Sequence, residues 1–159
     1  MDAKRIMSLQ GGGKTMLVHQ ILKSKGDHSV FTVTPGTIVS DAVQILAEKR
    51  IGGLVVSKDG VSVDGIISER DIVRSLALRG PVCLTEAVAA MMTRNPSCCG
   101  RGDSADDVLS RMTDGRFRHM PVTEGAELVG IVTIGDVVKA RIDELAMEKT
   151  ALEGMIMGH

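Results

Sequence analysis

Two stretches decide the fold: Gly65-Ile66-Ile67-Ser68-Glu69-Arg70-Asp71 and Gly130-Ile131-Val132-Thr133-Ile134-Gly135-Asp136. Each runs Gly, apolar, apolar, hydroxyl, two variable positions, Asp. The apolar pair reads as the end of a buried strand. A hydroxyl followed three residues later by a carboxylate has the spacing of a helix capping box. Both stretches are therefore strand-to-helix junctions, and the chain carries the junction twice. Working outward, the register holds. Asp41 maps to Asp107, Arg50 to Arg116 and Val56 to Val122, each 66 residues later, whereas Gly65, Ile66 and Asp71 map to Gly130, Ile131 and Asp136, each 65 later. The lost residue falls in the second hairpin turn, where loops tolerate deletion. A register kept across helices and strands alike identifies a duplication.

The elements around the junctions follow from periodicity and turn chemistry. Val18 to Leu22 reads as a lead-in helix and Val30 to Val33 as a short strand. Thr37 is the expected N-cap of a helix carrying Val39, Ala42, Val43, Leu46 and Ala47, which Gly52-Gly53 ends. Leu54 to Val56 and Val63 to Ile67 form a hairpin around Lys58-Asp59-Gly60, and Ser68 opens a helix stopped by Gly80-Pro81. In the second half, Val88 to Met92 is the lead-in helix and Ser97 to Cys99 the short strand. Asp103 caps a helix with Val108, Leu109 and Met112, and Met120 to Val122 and Leu128 to Val132 are the hairpin strands. Thr133 opens a last helix reaching about Met157. The expected fold is α/β: two pseudo-symmetric repeats of helix-strand-helix-strand-strand-helix, packed sheet to sheet, plus a long C-terminal helix. The expected divisions are 1–15, a disordered lead or added leader; 16–80 and 81–142, the repeats; and 143–159, the helix extension. Gly13-Lys14-Thr15 imitates the end of a phosphate-binding loop, but Ser8 stands where that motif needs Gly, and no strand precedes it.

Composition excludes several classes. The 159 residues carry 19 Lys+Arg against 20 Asp+Glu, a net charge of −1, which gives no electrostatic case for nucleic acid. With two Phe and neither Trp nor Tyr, a base-stacking platform for single strands is excluded as well. No apolar run approaches the roughly 20 residues of a membrane span. The odd cysteine count (Cys83, Cys98, Cys99) and the lack of a signal segment point to the reducing cytoplasm, and no spacing suggests a metal site. The ten Met read as core filler and helix interface.

The junctions admit two readings. In one, Ser68 with Asp71 and Thr133 with Asp136 only cap their helices and complement the dipoles. In the other, the helix N-terminus and hydroxyl attract a phosphate. The carboxylate then accepts from a ribose diol, and the strand-end Gly lets a ligand approach the backbone. Two matched copies facing a shared cleft favour a nucleotide.

The repeat, its element order and the paired junction motifs resemble a tandem pair of cystathionine-β-synthase (CBS) domains, a Bateman module, over about Leu17 to Ile142. The run Arg116-Phe117-Arg118-His119-Met120-Pro121-Val122 is similar to second repeats of small stand-alone members. The resemblance implies a non-catalytic sensor that binds AMP, ATP or NAD-type ligands between the repeats, and a homodimer stacking two modules. It implies that Asp71 and Asp136 hold the ribose, with Ser68 and Thr133 beside ribose or phosphate. Arg70, Arg118 and His119 would meet phosphate, and Thr32 to Thr34, with Cys98 to Gly100, would flank the adenine. Ile51, Leu54, Met120 and Pro121 would wall the ring. Arg70 is matched by Gly135 and His119 by Gly53, so the two clefts are expected to be unequal. Arg116, repeated by Arg50, reads as one side of a structural ion pair. His19, His28 and His159 read as surface residues.

The last helix carries Val137, Val138, Ile142, Leu145, Leu152, Met155 and Ile156 near helical spacing. That stripe needs a partner surface, either a second copy or its own module. The expected function is an adenine-nucleotide sensor that signals by conformational or assembly change. The alternative is a ligand-free assembly module acting on a separate protein target. An enzyme finds no nucleophile–base pair, metal cluster or acid/base pair to support it.

Overall fold

The computed structural model describes residues 15–26 and 30–157. The readings of 1–14, His28 and His159 lie outside them. In chain order the elements are α1 (Val18–Lys25), β1 (Thr32–Val33), α2 (Val39–Lys49), β2 (Gly53–Val56), β3 (Gly65–Ser68), α3 (Glu69–Arg79), β4 (Thr93–Arg94), α4 (Ala105–Gly115), β5 (His119–Glu124), β6 (Glu127–Thr133) and α5 (Ile134–Met157). Two 3₁₀ turns, Pro81–Thr85 and Val88–Ala90, stand between α3 and β4. The second lead-in is thus a 3₁₀ turn, not the expected helix.

The first sheet runs β1-β2-β3-β4, with β1 parallel to β2 and the other pairs antiparallel. In the second half β5 pairs β6, and a parallel bridge from Cys99 to Val122 occupies the place that Val33–Val56 holds in the first. The sheets meet where His119, at the start of β5, lies against Gly53, at the start of β2.

Two caps differ from expectation. Ile38, which has no side-chain acceptor, precedes α2, while Thr37 Oγ1 accepts from the Thr34 N–H. Ser104, not Asp103, caps α4 by accepting from the Asp107 N–H, and Asp103 closes the preceding turn by accepting from the Gly100 N–H. Helices α2 and α4 end on Arg50 and Arg116, both left-handed with φ of 55° and 57°. An arginine therefore ends each helix, and α2 stops ahead of the Gly52-Gly53 pair expected to end it.

The two hydrophobic cores show how the halves are joined. Val88 is fully buried among Val39, Leu54, Val56 and Ile67 of the first half, while Val18 and Ile21 of α1 are buried among Val108, Met112, Met120 and Val132 of the second. Each lead-in thus serves the half that its place in the repeat does not suggest. The backbone bonds repeat the pattern. Val88, Ala89 and Val39 donate to Thr37, Pro35 and Glu86, and Val18, His19 and Ala105 donate to Asp103, Arg101 and Met16.

The motif glycines make room for these crossings. A Cβ on Gly65 would lie 2.7 Å from both Met92 Sδ and the Thr93 carbonyl oxygen, and one on Gly130 would lie 2.9 Å from Leu22 Cδ2. The glycine at each strand end therefore admits the crossing segment, not a ligand.

Helix α5 buries Val137, Ala140 and Glu144, whose carboxylate pairs with Arg141 and accepts from the Met16 N–H. From Leu145 to Met155 every side chain is exposed, so this part of the stripe does not pack on its own chain.

Overpacking at Gly65 meets backbone, whereas at Gly130 it meets a mobile side-chain end. Gly65→Ala is expected to cost about 1–3 kcal/mol and Gly130→Ala less, both read from urea unfolding midpoints. The reverse order would contradict this packing.

Candidate nucleotide cleft

Ser68 leaves β3 in extended conformation and caps α3. Its Oγ accepts from the Asp71 N–H at 3.3 Å, while Asp71 Oδ2 accepts from the Ser68 N–H at 2.9 Å and from the Ser68 hydroxyl at 3.0 Å. Thr133 and Asp136 repeat the exchange at the start of α5, with bonds of 2.9 and 3.2 Å. The capping reading therefore holds at both junctions, and it fixes each carboxylate at a helix N-terminus. Within the first turn of α3 the Glu69 N–H is taken by the Gly52 carbonyl. Among the described residues the Arg70 N–H has no such partner, which leaves one donor beside the carboxylate.

A cleft of about 240 Å³ opens at the Ser68 junction, and three segments line it. Ile66, Ser68, Arg70, Asp71 and Arg74 come from β3 and α3. Thr93, Pro96 and Ser97 come from the link between the halves, and Gly115 to His119 from the run entering β5. Four arginines, Arg70, Arg74, Arg116 and Arg118, thus line the cleft together with one carboxylate, Asp71. The link is held in place by Arg111, which donates to Ser97 Oγ at 2.7 Å and to the Cys98 carbonyl at 2.5 Å. The Phe117 ring lies over Gly115, where a Cβ would run into its edge.

Of the residues expected at a site, this cleft gathers Ser68, Arg70, Asp71, Arg118 and His119. Thr133 and Asp136 sit at the other junction. There Lys25 Nζ lies 2.8 Å from Asp136 Oδ2 and donates to the Ile131 carbonyl at 3.1 Å. Thr32 is half-buried on β1, and Thr34 is exposed and hydrogen-bonded to Thr37. Ile51 packs on the first core, Leu54 and Met120 are fully buried in the two cores, and Pro121 is buried on β5. None of these six lines the Ser68 cleft.

Sequence reasoning missed Ile66, Arg74, Thr93, Pro96, Ser97, Gly115 and Phe117 as site residues. Arg74 stands one helical turn beyond Arg70, and that spacing could have found it. The link residues carry no such local signal. Arg116 makes no ion pair among the described residues; it ends α4 in the left-handed conformation and lines the cleft.

His119 occupies the boundary between the halves. Its ring lies against Gly52 and Gly53, where a Cβ on Gly53 would approach to 2.9 Å. Burial lowers its pKa, opposed by the Glu69 carboxylate, with smaller contributions from Lys25, which lowers it, and from Asp136 and Asp71, which raise it. His119 is therefore held toward the neutral imidazole. Burial likewise raises the Cys98 thiol and pushes Cys99 up to about 12, so neither is a ready thiolate.

Both halves, residues 26–78 and 88–143, match the model of the CBS domain. The Arabidopsis thaliana mitochondrial CBS domain-containing protein CBSX3 is 32% identical over 156 residues, 94% of this chain and 76% of that protein. CBSCBSPB2 of the same plant is 31% identical over 124 residues, but the chain spans only 23% of its length. Among solved structures, the CBS-domain protein ATU1752 from Agrobacterium tumefaciens is similar with a TM-score of 0.74 and 42% identity, covering 79% of this chain and 99% of that one. CBSX2 in complex with AMP gives 0.61 and 30%, covering 72% and 88%. The CBS pair of MJ0100, in complex with 5-methylthioadenosine and S-adenosyl-L-methionine, gives 0.70 and 25%, covering 79% and 95%.

The lowered pKa of His119 has a definite sign. As pH falls through its ordinary value, about 6.5, the unfolded chain takes up the proton before the folded one does. The stability associated with neutral His119 is present above that value and is lost as pH falls toward the depressed folded pKa. Wild type is expected to lose more stability between pH 7.5 and 5.5 than His119→Gln, measured by urea unfolding. Equal losses would contradict the burial account.

Proposed function

We propose a function from one premise: the chain belongs to the CBS-domain family, as a tandem pair of its units. The reading is a regulatory sensor that holds an adenine nucleotide in the Asp71 cleft. The observation that carries it is the charge arrangement there, one carboxylate fixed at a helix N-terminus among Arg70, Arg74, Arg116 and Arg118. A ribose diol donates to a carboxylate, and a phosphate accepts from guanidinium forks and from a free helix N–H. Ile66, Pro96 and Phe117 supply apolar surface for a base. AMP, ATP and NAD-type ligands share this combination of groups. The AMP complex of CBSX2 and the adenosyl ligands of MJ0100 support the class, without selecting among its members.

The cleft takes walls from both halves and from the link between them. A nucleotide therefore binds one relative arrangement better than another, and that difference in affinity is the signal. The reading assigns the chain no reaction. It assigns the exposed surface of α5 beyond Glu144, with Leu145, Leu152 and Met155, to a homodimer. A separate protein target is the alternative occupant, and on that reading the clefts stay empty. Three free cysteines accord with a reducing compartment such as the cytoplasm.

Hydrogen bonds to a charged group contribute about 1.5–3 kcal/mol each. Asp71→Ala is therefore expected to weaken AMP binding at its cleft about ten-fold or more, while Asp136→Ala leaves that cleft unchanged. Calorimetry reads both, and an unaltered affinity in Asp71→Ala would sink the ribose assignment. Leu145→Glu is expected to shift the chain from dimer toward monomer in sedimentation equilibrium. An unshifted dimer would remove α5 from the interface.

A further inference from the structure

The two junction carboxylates differ in what already touches them. Asp71 accepts only from its own cap residue, Ser68, among the described residues. Asp136 accepts from the Thr133 N–H at 2.9 Å and also faces Lys25 Nζ at 2.8 Å. Lys25 is the last residue of α1, the lead-in that crosses to the second half. Its ammonium is fixed by a second bond, to the Ile131 carbonyl two residues before Thr133. The crossing thus brings a cation from the start of the chain onto the carboxylate that repeats Asp71.

We infer that Lys25 is an intramolecular occupant of the Asp136 carboxylate, and that it competes there with the ribose diol of a nucleotide. The inference rests on the ribose role proposed for these carboxylates. Lys25 and the Thr133 N–H together fill Asp136 Oδ2, and the ammonium bond is charge-assisted where a diol offers neutral hydroxyls, so a diol that takes the carboxylate through that oxygen has to displace the lysine. The pair is partly exposed, at 29% and 21% for its two side chains, so the displaced lysine is readily solvated. Its competition is accordingly modest. Exposed lysine–carboxylate pairs shift an equilibrium by up to about five-fold.

Lys25 compounds a second difference. The first cleft has Arg70 and Arg118, where the counterparts expected at the second junction are Gly135 and, by register, Gly52. The Asp136 junction thus has fewer cations for a phosphate and one cation set against its ribose position. The Asp71 cleft fills first, and Lys25 sets how far the second lags behind it.

The test is an AMP titration of the full chain followed by amide NMR, which resolves the junctions in one experiment. Thr133 to Asp136 report one junction, and Ser68 to Asp71 the other. In wild type the Ser68 set is expected to saturate at lower AMP than the Thr133 set. Lys25→Met is expected to tighten binding at the Thr133 set about three- to five-fold and leave the Ser68 set unchanged. Lys25→Arg, which keeps the pair, should behave as wild type and controls for any disturbance of α1. If the Thr133 set is unchanged or weakened in Lys25→Met, the competition is overturned, while a normal Ser68 response leaves the nucleotide reading standing. Silence of both sets in wild type and Lys25→Met overturns both.

Discussion

The structure depends on the crossing of its two lead-in segments. Val88 closes the first core, and Val18 and Ile21 close the second. Neither half is complete from its own run of repeat, so burial of these residues couples the halves as well as stabilising each. The crossing also places the motif glycines. Gly65 leaves room for Met92 and Thr93, and Gly130 for Leu22. The Ser68 cleft then follows from the same connection, because the link that brings Val88 to the first core continues into Thr93, Pro96 and Ser97 of the cleft wall.

Chemistry at the cleft is a consequence of how helices begin and end. The capping exchange of Ser68 and Asp71 fixes a carboxylate that would otherwise rotate. The left-handed end of α4 at Arg116 turns the chain so that Phe117, Arg118 and His119 enter β5 along the same cleft. A stable helix start and a fixed carboxylate are here one arrangement, so the capping observed at Ser68 and Asp71 is compatible with the proposed ligand. The halves diverge where local sequence diverges: His119 fills the space that Gly53 leaves open, and Lys25 meets Asp136.

Much of this was legible in the sequence because it is local. Strand-to-helix junctions, hydroxyl–carboxylate spacing and the duplication register are read within a few residues, and Ser68 and Asp71 were singled out that way, whereas Arg118 and His119 came from the family resemblance; all of these line the cleft. What was not legible is long-range. No periodicity near Val18 announces a partner more than eighty residues away, and the turn at Arg116 is occupied by a residue that does not advertise a left-handed conformation. The link residues Thr93, Pro96 and Ser97 have no pattern at all; only the folded position of the second lead-in makes them a wall. Leu54 and Met120, expected beside the adenine, are drawn into the cores by the same burial that forms their strands.

On the proposed reading, one cleft built from both halves binds an adenine nucleotide through Asp71 and the arginines that line it with that carboxylate. The most direct measurement is a crystal structure of the chain grown with AMP. The expected result is ribose hydroxyls on the Asp71 carboxylate and the phosphate among Arg70, Arg74, Arg116 and Arg118. An empty Asp71 cleft at saturating AMP, or a nucleotide bound only elsewhere, would contradict it.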